Sequence, residues 1–463
     1  MNKTSKLVSL LLALCLLLTL APAYAEETPE HDTYTYHTYA TSLGNNWNPH
    51  TWETSADDTI QSYLSSPFCT MSILDSEEGV YQWIYEMATE ITDVTAENRE
   101  DLTKYNVALK AGDTAETAEE GYVFEIKLNP EAKWEDGTPI NADTYIYSMK
   151  QLLDPDMKNY RANLYYAGES AVAGGADYYY GGSIAYIDNG ANDAYTLADL
   201  TAGEDGTFVT PAGEPVYIAL MDGLDWLGGN TLSDYVDAYG EAYFGVEDYN
   251  ALKEIADEKG RVPANEETIK LIQGVITAVA DWGETEDDCI NYMVIAREYP
   301  RADYDSTVGC YKVDDYTIHY VNAQYIDINY FLTSCTSTWL VYEPLYEAGK
   351  DTSGELVTTN YCTSMETSMS YGPYKLASLQ PDKQIVFVQN ENWYGWEEQE
   401  DGSLISYTNF EVDGEQVQQY QTTSVVIDVM DDAAAQQAFL KGELSEWTPT
   451  PDDLLAYATS EQL

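Results

Sequence analysis

Positive charge is what this chain lacks most. Lys and Arg together number 21 against 80 Asp and Glu, a formal charge of −59 at pH 7. A surface of that sign repels nucleic acid phosphates and anionic lipid headgroups, so neither is expected as a partner. Histidine is nearly absent, with four residues. His31 and His37 lie six apart, and so few imidazoles argue against a metal centre. No G-x-S-x-G elbow and no H-E-x-x-H helix occurs, which removes two common hydrolase routes. The six cysteines show neither the close paired spacing of a zinc site nor a redox motif.

Long apolar runs are also missing, apart from one. Lys3 and Lys6 precede Leu7 to Leu20, and Ala23-Tyr24-Ala25 supplies the small residues that a signal peptidase requires. Cleavage after Ala25 is expected, which sends the chain to the outside of the cell or its envelope. The run is too short, and too soon followed by the cleavage site, to span a membrane. Cys15 sits after Leu14 inside the run, a poor context for a lipid anchor. Cys69, Cys289, Cys310, Cys335 and Cys362 then remain, an odd number, so at least one is unpaired.

Tyrosine is abundant, with 41 residues. The most organised stretch is Tyr122 to Pro155. Tyr122, Phe124, Ile126 and Leu128 alternate with Val123, Glu125 and Lys127, the period of a strand with one buried face. Asp136-Gly137 supplies a turn and Pro139 keeps the chain extended. Asn141 reads as a helix N-cap with Asp143 in the first turn. Tyr145, Met149 and Leu152 or Leu153 follow at helical spacing until Asp154-Pro155 stops the helix.

The wording of this unit, a strand with K-L, then A-K-W-x-D-G-T-P-I-x-A-D, then a helix ending L-L-D-P, resembles the signature of the family 5 extracellular solute-binding proteins. Further segments resemble that family in the same order: VDDYTIHY about a hairpin at Asp314-Asp315, SYGPYKL at Ser370 to Leu376, Ile385 to Val388 with NENWYGW, and Val425 to Glu446. The resemblance implies an α/β, two-lobed, periplasmic-binding-protein-like fold (class II, cluster C type) with an inserted, mostly helical subdomain and an incomplete far lobe. The implied divisions are a signal peptide 1–25, a first segment of lobe I 26–60, and an accessory subdomain 61–180 that carries the signature. An insertion 181–300, a second segment of lobe I 301–424 and the start of lobe II 425–463 follow. Within the insertion, helices are expected over Val246 to Glu258 and Glu267 to Trp282. Lys104 to Glu120 reads as a solvated hairpin tip, and Tyr81 to Met87 as the start of a buried helix and strand.

The resemblance also implies function. Such proteins capture oligopeptides and deliver them to the membrane permease subunits of an ABC transporter, acting as monomers without cofactor, metal or catalytic residues. In the family, the loop matching Asn45 to Ser55 runs along the cleft. By position, Trp52, Glu53, Thr54 and Ser55 match the residues that pair with the ligand main chain. Tyr160, one residue displaced, matches a Tyr that contacts the peptide. The aspartate that pairs with a peptide's amino terminus would lie in the far lobe, beyond Leu463. The alternative is a secreted carbohydrate-active enzyme or an oligosaccharide-binding protein, since acids and aromatic rings also suit glycans.

Overall fold

The computed structural model describes residues 34–192, 195–277, 286–400, 402–406, 409–450 and 454. The signal peptide lies outside them. The signature unit forms a strand, Val123–Leu128, and a helix, Ala142–Leu152. Asn141 caps the helix by accepting from the Thr144 N–H at 3.3 Å. Four antiparallel strands build the surrounding sheet, in the order Cys310–Asp314, Thr317–Val321, Val123–Leu128, Ala88–Asp93. Phe124, Ile126 and Leu128 face the largest core, where Phe124 stacks on Phe331 at 3.9 Å between ring centres.

Val123, on the opposite face of the same strand, is buried as well. The stretch after residue 100 explains why. Leu102, Tyr105, Val107 and Ala118 form a second small core over Val123, so Lys104 to Glu120 is a cover rather than a solvated hairpin tip. Tyr81 lies in a hairpin of Cys69–Asp75 with Val80–Tyr85, not in a helix, and is 60% exposed.

A second sheet runs Thr35–Ala40, Ser424–Val429, Gln384–Gln389, Tyr374–Gln380. Its first pair is parallel and the other two are antiparallel. Ser424–Val429, expected to open lobe II, lies inside the sheet that the first strand starts. The helix Asp432–Leu440 follows, capped by Asp431, and the Ser445 N–H then donates to the His37 carbonyl at 2.7 Å. The returning chain thus covers the open edge of Thr35–Ala40.

The segment expected as a helical insertion has helices over Leu232–Tyr239, Val246–Ile255 and Glu266–Thr277. The stretch to Trp282 lies outside the described residues. These helices accompany a four-stranded antiparallel sheet, Arg261–Pro263, Val216–Ala219, Met293–Tyr299, Ser183–Asp188, with a core of its own. Its strands are short, and Val216–Ala219 is buried at Val216, Ile218 and Ala219, so no clean alternation announces it. No helix among the described residues is long and apolar enough to cross a membrane. Cys69, Cys310 and Cys362 are buried, and burial pushes their thiols up to about 12, which keeps them protonated.

The NENWYGW turn meets the first hairpin through a buried acid. Trp393 Nε1 donates to Ser66 Oγ at 3.2 Å, and Glu86 accepts from Thr70 Oγ1 at 3.2 Å. Burial raises the Glu86 carboxyl to about 7, with the Thr70 and Ser66 hydroxyls opposing the shift. In the unfolded chain this carboxyl ionises near 4.5, while the folded protein retains the proton until about 7. Stability therefore falls as pH rises between those values and stays reduced above them. Glu86→Gln should be more stable than the parent at pH 8, by on the order of 3 kcal/mol at 1.36 kcal/mol per unit, and about equal at pH 4. Urea denaturation at both pH values checks this; a variant weaker than the parent at pH 8 refutes it.

Candidate functional site

The loop from Gly44 to Thr54 is held by one carboxylate. Asp57 Oδ1 accepts from the N–H groups of Asn45 and Asn46, each at 2.9 Å. Its Oδ2 accepts from Thr54 Oγ1 at 2.6 Å and from the Thr54 N–H at 3.2 Å. Burial alone would raise this carboxyl, but the four bonds hold it below its ordinary value. Thr54 is in turn the N-cap of the helix Ser55–Leu64, accepting from the Asp57 N–H at 3.2 Å in a capping box.

Deeper in the loop, Trp47 is buried and donates from Nε1 to Ser368 Oγ at 3.0 Å. His50 is buried, with Nε2 3.0 Å from the Trp339 carbonyl and Nδ1 3.1 Å from Tyr346 Oη. The carbonyl can only accept, so Nε2 carries the proton and Nδ1 accepts from the tyrosine. Burial lowers the imidazole to about 3, opposed by the bond to Trp339, so the ring stays neutral.

These anchors present Trp52 to solvent beside Arg161. The guanidinium lies 3.3 Å from the centre of the Trp52 ring, and Arg161 Nε donates to the Trp52 carbonyl at 2.9 Å. The Arg161 N–H donates to the His50 carbonyl at 3.0 Å. The pair forms one side of an open cleft of about 320 Å³. The helix Ser55–Leu64 supplies Asp58 and Gln61 to another side, its C-cap Ser65 extends that side, and Thr338 and Trp339 close it. Gln61 Nε2 donates to Thr338 Oγ1 at 2.6 Å, which ties two walls together. A neighbouring hollow of about 230 Å³ shares Leu164, Tyr165 and Trp339 with the cleft and extends to Tyr330 and Phe331.

The five residues picked from the sequence fall in different places. Trp52 lines the cleft. Tyr160 is 60% exposed, its ring 5.3 Å from the same guanidinium. Glu53 is exposed on the loop. The Thr54 side chain is engaged in capping. Ser55 opens onto a separate depression of about 250 Å³, shared with Ala40, Leu43, Thr59 and Ile427. That depression adjoins the carboxyl ends of the parallel strands Thr35–Ala40 and Ser424–Val429, the side of a sheet where α/β proteins hold ligands. Sequence reasoning missed Arg161. Its signal was rarity: it is one of five arginines in the chain, and it follows Tyr160.

Because Thr54 caps a helix that forms a wall of the cleft, Thr54→Ala should lower stability by about 1 kcal/mol in chemical denaturation. An unchanged midpoint would mean that the hydroxyl is not spent on the cap.

No curated protein matches the chain. Among solved structures, Listeria monocytogenes OppA bound to peptide is 11% identical with a TM-score of 0.45, covering 93% of this chain and 49% of that one. An oligopeptide ABC transporter substrate-binding domain from Bacillus anthracis is 10% identical with a TM-score of 0.43, covering 93% and 48%. The Escherichia coli murein tripeptide binding protein MppA is 12% identical with a TM-score of 0.42, covering 94% and 49%. The chain thus spans about half the length of these proteins. The family described as Bacterial extracellular solute-binding proteins, family 5 Middle, matches residues 91–214 and 279–463. Residues 1–90 and 215–278 are left unmatched. With more than half its residues matched, and the signature strand and helix among them, the chain belongs to the family 5 bacterial extracellular solute-binding proteins.

Proposed function

We propose that this protein captures short peptides outside the cell and passes them to the membrane subunits of an ABC importer. The observation that carries the reading is the cleft beside the 45–55 loop, in a chain of the solute-binding family. It joins aromatic faces at Trp52, Tyr165 and Trp339 to hydroxyl and amide groups at Ser65, Thr338 and Gln61. Such a lining takes varied side chains against the rings while polar groups and water satisfy a peptide main chain. An extended ligand laid over residues 52–55 would meet this cleft on one side and the strand-end depression at Ser55 on the other. Main-chain pairing of that kind reads length more than sequence. Capture needs no chemical step, and the ligand leaves unaltered. Peptide bound between two lobes would favour their closed arrangement, and the importer then distinguishes closed from open by differential affinity.

A thermal-shift panel of short peptides and short oligosaccharides tests this on the full-length protein. A peptide at about 100 times its dissociation constant should add roughly 2.7 kcal/mol to the folded state, with no product by mass spectrometry. A shift with glycans alone, or hydrolysis of either class, overturns the reading.

A further inference from the structure

The five arginines of this chain are Arg99, Arg161, Arg261, Arg297 and Arg301. Four are paired with carboxylates: Arg99 with Glu119, Arg261 with Asp222, Arg297 with Glu214 and Arg301 with Asp156. Arg161 has no such partner among the described residues. With 80 acidic side chains available, an unpaired guanidinium is the exception in this fold.

Its position is nonetheless fixed. The backbone N–H is held by the His50 carbonyl, Nε by the Trp52 carbonyl, and one face by the Trp52 ring. These contacts use the inner edge and one face of the fork. The two terminal amino groups make no hydrogen bond within the described residues, and the side chain lines the cleft. A guanidinium held flat on an indole is rigid and weakly hydrated, and its two parallel N–H donors match the two oxygens of a carboxylate. Asp58 lines the same cleft without pairing to Arg161, which leaves a cation and an anion both open to a ligand.

We propose that Arg161 is the anchor for a ligand carboxylate, the free carboxyl terminus of a short peptide. This rests on the peptide reading above and deepens it. The overall charge of −59 does not oppose it at contact distance. Charges are screened beyond about 8 Å at physiological ionic strength, and a short zwitterionic peptide carries no net charge for the field to repel. The ligand class is therefore short peptides of neutral or positive net charge. A chain-end amide, or a peptide too long to keep its terminus in the cleft, forfeits the anchor.

The test uses the full-length protein and two tripeptide pools without Asp or Glu, identical except that one has free carboxyl termini and the other amides. Calorimetric titration should give at least tenfold tighter binding for the acid pool. Arg161→Met should abolish the difference, and Arg161→Lys should retain part of it. A third pool, amidated but with an internal Glu, asks for the source of the carboxylate. Tight binding of that pool, lost in Arg161→Met, supports the anchor with a side-chain carboxylate as its occupant. Equal affinity of the wild type for acid and amide pools overturns the anchor and leaves the peptide reading standing. Binding of none of the three overturns both. The comparison of acid with amide on the wild type stands by itself if Arg161→Met fails to fold.

Discussion

The carbonyl of Leu64 is the point on which the arrangement of the site depends. A helix ends with carbonyls that its own backbone cannot satisfy. Here the carbonyl of the last residue of Ser55–Leu64 receives two donors from one distant segment, the Tyr371 N–H at 2.9 Å and the Gly372 N–H at 3.0 Å, with Ser370 Oγ 3.1 Å away. The approach is close enough that a side chain at Gly372 has no room, since a Cβ there would lie 2.6 Å from the Ser65 nitrogen. The same segment is held from its other side. The Glu135 N–H donates to the Ser370 carbonyl at 2.8 Å, Asn392 Nδ2 donates to the Glu135 carbonyl at 2.9 Å, and Trp134 packs edge-on against Tyr371. W-x-D-G, SYGPYKL and NENWYGW are therefore one contact, written in three places along the chain.

The cleft inherits its rigidity from this contact. Its helical wall is fixed at the far end by residues 370–372 and at the near end by Thr54 and Asp57. Asp57 also gathers the loop that carries Trp52, so one carboxylate ties the loop to the first turn of the helix. Across the cleft, Thr338 joins Gln61 to the segment that ends at Trp339, whose carbonyl holds His50. A binding surface ordered before its ligand arrives loses less conformational freedom on binding. The neutral state of His50 suits this role, because protonation would place a second donor opposite Tyr346 Oη and charge a site without solvent.

How much of this could be read from residues alone follows from which signals are local. The signature strand and helix, the Asn141 cap and the hairpin at Asp314-Asp315 were legible because period, cap and turn are set by near neighbours. Ser424–Val429 was legible as a strand. Its parallel pairing with Thr35–Ala40 was not, since nothing in six residues names a partner at the other end of the chain. Lys104 to Glu120 misled because its composition is polar while the few apolar residues in it do the covering. At the site, the aromatic loop was visible and the cation beside it was not. Tyr160 drew attention as a ring, but the ordered element is its neighbour Arg161, whose significance comes from a carbonyl and an indole more than a hundred residues earlier.

The segment from Ser183 to Tyr299 carries a core of its own, and none of its described residues lines the cleft. Its first and last strands, Ser183–Asp188 and Met293–Tyr299, pair antiparallel along their length, and the Gly182 N–H donates to the Tyr299 carbonyl at 2.7 Å. The chain thus leaves and returns at one place. Closing a loop whose ends are already adjacent adds little entropic cost, and that cost grows only slowly with length. Everything between can then vary, provided it buries its own apolar surface. The internal interval that the family does not match, 215–278, lies between these two strands. It does bury its own surface, with Ile218, Leu252, Val262, Ile272 and Val275 fully enclosed. Charge is handled locally as well, since Arg261 pairs with Asp222 at 2.6 Å and lies over the Tyr186 ring of the first strand. The last strand leads directly to Tyr304 and Val308 in the largest core. Tyr178 and Tyr304, on either side of these paired strands, meet edge to face with ring centres 5.4 Å apart.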